Sequence, residues 1–104
     1  MSIVEHLKIH QPEAFTLEGV IVDYLRRNPT LKSGKRYRYL VDRRMFLYHL
    51  LKNECMWSLT RIGVLFNRDH ATVINALKKY PYYKLDEEYK ANINEVKQYL
   101  NNWL

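Results

Sequence analysis

"SLTRIGVLFNRDHATVINALKKY", residues 58–80, holds two helical periods separated by an asparagine. Ser58 can cap a short helix, "LTRIGVLF", and a second helix is predicted from about Arg68 to Tyr80, stopping ahead of Pro81 because proline lacks the N–H a helix interior needs. A helix-turn-helix joins such a pair at a steep angle, so the first helix must be small where the second crosses it. Gly63 is small, and Asn67, four positions on, is the residue type after glycine that best accepts a left-handed turn. Val73, Ala76, Leu77 and Tyr80 then recur at helical spacing and can seal the second helix onto Ile62 and Phe66. Arg68, Asp69, His70, Ala71, Thr72, Asn75, Lys78 and Lys79 are left facing outward, with Ile74 at the border.

In helix-turn-helix proteins the amino end of the second helix enters the DNA major groove. A carboxylate there can accept from the cytosine amine, histidine and threonine can donate or accept, and a methyl such as that of Ala71 can pack on thymine. Asp69 is a poor phosphate binder. It equally fits a helix cap, since the helix dipole welcomes an acid at that end, and periodicity leaves both readings open.

Upstream lies a strongly basic stretch. Between Arg26 and Arg44 stand eight basic residues (Arg26, Arg27, Lys32, Lys35, Arg36, Arg38, Arg43, Arg44) against a single acid, Asp42. The whole chain carries 17 Lys+Arg against 11 Asp+Glu, a net charge of +6, so the field is concentrated on one side, as a phosphate-docking surface requires. A solvated loop is the bland alternative. "LEGVIVDYLRR" (17–27) reads as a first helix after Thr16, stopped by Asn28-Pro29, with Leu31 as a hydrophobic anchor beyond it. Residues 32–44 are expected as a basic loop, with Asp42 as the N-cap of a second helix, "RRMFLYHLLKNE". Tyr39 is expected to pack over the core, and Tyr37 either packs or stacks on nucleic acid. "YPYYK" (80–84) reads as a connector, and a last helix over 86–103 opens with three acids and sets Tyr89, Ile93, Val96, Leu100 and Trp103 on one face, either core or dimer seam. Residues 1–16 are an arm or short helix, and 17–104 form the domain. The fold class is all-α, about five helices around the helix-turn-helix.

Several chemistries are excluded or weak. One cysteine, Cys55, allows no internal disulfide and no cysteine-based zinc site, which points to a reducing compartment. The start resembles no signal peptide and no apolar run spans a membrane, so a cytoplasmic protein is expected. His6 and His10 have i, i+4 spacing but no third ligand, so no metal and no cofactor are expected. His49, among apolar neighbours, is expected to be a bonded packing residue. No residues support enzyme activity.

The string "RDHATV" with "SLTRIG" upstream, and "KRYRYLVDRRMFLYHLL" and "VIVDYLRRNPTLKS" before them, resembles the carboxy-terminal DNA-binding domain of the bacterial replication initiator DnaA over residues 17 to 80. That family's pattern is approximately S-L-x-E-I-G, then F-G-x-R-D-H-[ST]-T-V, behind a basic loop. The resemblance implies that Arg44, or else Arg43, enters the minor groove, while Asp69, His70 and Ala71, with Asn75 beyond, face bases in the major groove. It implies phosphate contacts by Thr72, Lys35, Arg36, Arg38 and Lys78, to which Arg43, Arg61 and Arg68 are added as candidates. Arg61 stands where the family has glutamate, Ala71 where it has a hydroxyl, and Asn75 where histidine is common, and the turn is one residue shorter than in some relatives. No G-x-x-x-x-G-K-[ST] occurs, so the chain has no P-loop ATPase and is not a full initiator.

The function expected is sequence-specific binding of double-stranded DNA by a replication or transcription regulator, most simply as a monomer, with replication proteins as further candidate partners. The alternative is a protein-interaction adaptor of the replication machinery that would use the acidic last helix. A third is single-strand or RNA binding by the Tyr/Arg loop.

Overall fold

A computed structural model describes residues 16–103, all of whose regular structure is helical. The arm at 1–16 and the His6/His10 pair therefore fall almost wholly outside the described residues. Helix α1 spans Leu17–Arg27, and Thr16 Oγ1 accepts from the Gly19 N–H at 3.1 Å to cap it. Its buried stripe is Val20, Ile21, Tyr24 and Leu25. Asn28 closes the helix by donating from its side chain to Tyr24 O at 2.9 Å, and a 3₁₀ turn, Pro29–Lys32, drives Leu31 to 1% exposure.

Helix α2 spans Arg38–Asn53, a full turn longer than expected. Asp42 is not its N-cap but an interior residue at 0% exposure, held by Arg38 Nε (3.1 Å to Oδ2) and Asn92 Nδ2 (2.8 Å). Packing overrides the capping preference here: starting at Arg38 buries Leu40 on the face shared with Leu47 and Leu51 and supplies the buried carboxylate with donors. The basic loop is correspondingly short, residues 33–37. At the far end of α2, Trp57 N–H reaches Leu51 O at 2.9 Å, a closure that places Met56 at φ 61, in the left-handed region usually given to glycine.

Helices α3 (Leu59–Phe66) and α4 (His70–Tyr83) form the helix-turn-helix, and α5 spans Glu87–Trp103. Contrary to expectation, α4 does not stop at Pro81. It continues to Tyr83, because proline near a carboxyl end forfeits only one backbone bond, while Tyr80 is fixed by stacking on His49 at 3.9 Å and by an edge contact with Tyr89. "YPYYK" is thus the last turn of α4 and its cap, Lys84, rather than a connector.

The last helix lays Tyr89, Ile93, Val96 and Leu100 into the core against α1 and α2, while Trp103 remains 41% exposed. Its apolar face is core, not a free seam. Among the described residues, no helix is long and apolar enough to cross a membrane.

Candidate nucleic-acid interface

The geometry of the helix-turn-helix follows from one missing methyl and one left-handed residue. A Cβ built on Gly63 would lie 2.6 Å from Arg68 O, closer than real contacts allow, and the Gly63 carbonyl accepts from the Arg68 N–H at 2.7 Å. Asn67, at φ 56 and ψ 48, turns the chain out of α3 so that the start of α4 can cross there. Ser58 caps α3 through the Arg61 N–H at 3.1 Å. Ile62, Phe66 and Val73, all at 0% exposure, seal the two helices together.

This packing leaves the tip of α4 in solvent. Asp69 is its N-cap: Oδ1 accepts from the Ala71 N–H at 2.8 Å and lies 3.3 Å from His70 Nδ1. The Asp69 and His70 side chains are nonetheless 71% and 61% exposed. Capping occupies one carboxylate oxygen, and the other has no partner among the described residues, so the two readings of Asp69 are compatible. Ala71, Thr72, Asn75, Lys78 and Lys79 are also exposed, and Ile74 is half-buried.

The basic loop borders the same side of the molecule. A groove of about 570 Å³ runs between Gly34 and Arg36 of the loop and Thr72, Asn75, Ala76 and Lys79 of α4, with Val41, Arg44, Met45, Tyr48 and Arg68 behind them. Lys35 and Arg36 are exposed and have no side-chain partner among the described residues. Lys79 belongs to this groove although the sequence pattern gave it no role.

The remaining arginines are placed otherwise. Arg44, to which the resemblance assigns the minor groove, is 5% exposed, and its guanidinium donates inward to the carbonyls of Leu31, Lys35, Thr30 and Ser33. Burial, reinforced by Arg68 and Arg36 nearby, pulls its pKa below the usual guanidinium range. Arg68 is half-buried and turned toward backbone carbonyls of the loop and the turn.

Arg38 pairs with Asp86 and with Glu88 at 3.2 Å as well as with Asp42, and Arg43 donates to Asn92 O (2.8 Å) and Glu95 (3.0 Å). Arg61 lies over the Trp57 ring at 3.6 Å, and that indole donates to Glu18 at 2.7 Å. Arg26 and Arg27 both engage Asp23. The structure therefore leaves Lys35, Arg36, Asp69, His70, Ala71, Thr72, Asn75 and Lys78 on open surface, engages Arg38, Arg43 and Arg44 within the domain, and leaves Arg61 exposed against Trp57.

Sequence reasoning missed the acids that do the tying, Asp86, Glu88 and Glu95. The i, i+7 spacing of Glu88 and Glu95 on one side of α5 was the available signal, but Asp86 and Glu88 fitted a helix dipole equally well.

The aromatic side chains also sort themselves. Tyr37 and Tyr39 stack on each other with centroids 6.2 Å apart at 61% and 43% exposure, so Tyr39 does not pack on the core as expected. His49 is a bonded packing residue as expected, with Nδ1 3.0 Å from the Asn53 amide and burial lowering its pKa. Burial raises the pKa of the Cys55 thiol, the opposite of an activated nucleophile.

A family model described as the bacterial DnaA protein helix-turn-helix matches residues 20–79, more than half of the chain. No solved structure matches the chain.

Proposed function

The chain belongs to the bacterial DnaA helix-turn-helix family, a non-catalytic domain that implies DNA binding, and on that premise we propose that it recognises a specific double-stranded sequence through the α4 tip and the basic loop together. Asp69, His70, Ala71 and Asn75 meet base edges in the major groove. Thr72 and Lys78 meet phosphates beside them. Lys35 and Arg36, at the loop tip, reach the neighbouring minor groove or its sugar-phosphate rim, the role the resemblance gave to Arg44. One observation carries this reading: a groove of about 570 Å³ is lined on one side by Arg36, a loop cation with no side-chain partner among the described residues, and on the other by Thr72, Asn75 and Lys79 of α4, whose tip residues Asp69 and His70 stand exposed.

On this reading the chain is a regulator of replication or transcription that works on cytoplasmic nucleoid DNA as a monomer. The burial of the apolar face of α5 supports the monomer. The adaptor alternative needs a free acidic face, whereas Asp86, Glu88 and Glu95 are engaged by Arg38 and Arg43.

The test is selection from random duplexes, followed by salt titration of the selected site. The three cations placed at phosphates, Lys35, Arg36 and Lys78, give a log–log slope of roughly −3. His70→Ala should relax preference at one or two positions, whereas Lys35→Ala should weaken every site alike. A shallow slope with no enriched sequence rejects the reading.

A further inference from the structure

Little packing holds the loop tip. Residues 34–37 are all exposed, a Cβ at Gly34 would meet nothing within 4 Å, and Leu31 is the last buried anchor before the tip. Two guanidiniums from different elements supply what packing does not. From α2, Arg44 donates through Nε to Leu31 O (2.7 Å), through Nη1 to Lys35 O (2.8 Å), and through Nη2 to Thr30 O (3.1 Å) and Ser33 O (3.0 Å). From the helix-turn-helix, Arg68 donates to Lys32 O (3.4 Å) and also to Ser33 O, while holding Phe66 O (3.2 Å) and Asn67 O (3.3 Å) in its own turn. Ser33 O is the shared acceptor, and the 3₁₀ turn is thereby joined on one side to α2 and on the other to the residues that lead into α4.

We propose that Arg44 and Arg68 form a latch that sets the loop tip, Lys35 and Arg36, at a fixed distance from the α4 tip, and that both are positioning residues for DNA recognition rather than contacts to it. The proposal rests on the DNA-binding reading above. A planar fork with five donors matches a ring of carbonyls in a way an ammonium cannot, so Arg44→Lys keeps the charge and most of the stem yet loosens the grip. Loop cations that wander cannot meet phosphates in register with base contacts made by α4, and the affinity lost should pass entirely through Lys35 and Arg36.

A double-mutant cycle on the selected duplex isolates that dependence. With fold checked by circular dichroism and thermal melting, Arg44→Lys should weaken binding about tenfold in the wild-type background, the scale of one charge-assisted hydrogen bond. In a Lys35→Ala/Arg36→Ala background the same substitution should change binding by less than about twofold. An equal loss in both backgrounds, or none in either, overturns the latch. Should Arg44→Lys fail to fold, Arg68→Lys goes through the same cycle with the same two outcomes. Amide exchange in the free protein is the second readout: Arg44→Lys should speed exchange of Ser33 and Lys35 at least about tenfold while leaving α5 unchanged. Unchanged loop exchange refutes the latch whatever the DNA result. A wild-type chain that binds no duplex refutes only the DNA-binding reading, and the exchange result still decides the latch.

Discussion

The basic stretch from Arg26 to Arg44 and the amino tip of α4 are both polar, yet they relate to the fold in opposite ways. In the first, Arg26, Arg27, Arg38, Arg43 and Arg44 turn to carboxylates or carbonyls of the same chain, leaving Lys32, Lys35 and Arg36 outward. In the second, Asp69 bonds only to its own helix start and to its neighbour His70, while Ala71, Thr72 and Asn75 stand exposed. A count of charges thus overstates the docking surface, because guanidiniums here also serve as structural cross-links. The small polar cluster carries less charge, yet its side chains stay open to solvent.

The sharpest way to break that contrast is Arg38→Met. If Arg38 is a cross-link, its removal leaves the buried Asp42 carboxylate with Asn92 alone and lowers the midpoint of urea unfolding more than Asp69→Ala or Asp23→Asn does. Affinity for the selected duplex, measured below the transition, should stay within about twofold. A loss of affinity as large as that of Lys35→Ala would move Arg38 to the DNA. Lys35→Ala itself should cost roughly tenfold in affinity and reduce the salt slope by about one, with no change in melting temperature.

A smaller effect separates the two roles of Asp69. Asp69→Ala removes the cap and should cost about 1 kcal/mol of stability, whereas Asp69→Ser keeps a capping oxygen and should cost a few tenths. If both substitutions alter base preference at the same position, the carboxylate reads DNA as well as capping; if neither does, capping is its whole function.

The smallest expected effect is on acid stability. The Tyr99 hydroxyl, with Arg26 and Arg27 adding to it against the opposing effect of burial, lowers the Asp23 pKa to about 2. A carboxyl depressed on folding contributes stability above its unfolded value, near 4, that is lost as pH falls through the folded one. Asp23→Asn should therefore flatten the fall in melting temperature between about pH 4 and pH 2. The effect should be under about 1 kcal/mol, because both arginines are largely exposed. Loss of DNA binding with the same substitution would show that this cluster belongs with the open surface.

The helix-turn-helix was legible in the sequence because its constraints are local. Gly63, Asn67 and the Ile62–Phe66–Val73 seal each follow from spacing within one short segment. Residues 33–42 were not legible, since their fate turns on partners about fifty positions away: Asn92 for Asp42, Asp86 and Glu88 for Arg38. Asp42 matched the pattern of a helix cap equally well as a cap and as a buried network residue. Pro81 misled for a related reason, since the local cost of a proline near a helix end is small enough for aromatic stacking on Tyr80 to offset.

The inward-facing carbonyls behind the loop also shape what an approaching polyanion encounters. Oxygens from Thr30, Leu31, Lys32, Ser33 and Lys35 all converge on guanidiniums inside the domain. Backbone dipoles that elsewhere on a protein surface point partial negative charge at solvent are here quenched internally. At these five positions the main chain adds little repulsion to an approaching phosphate.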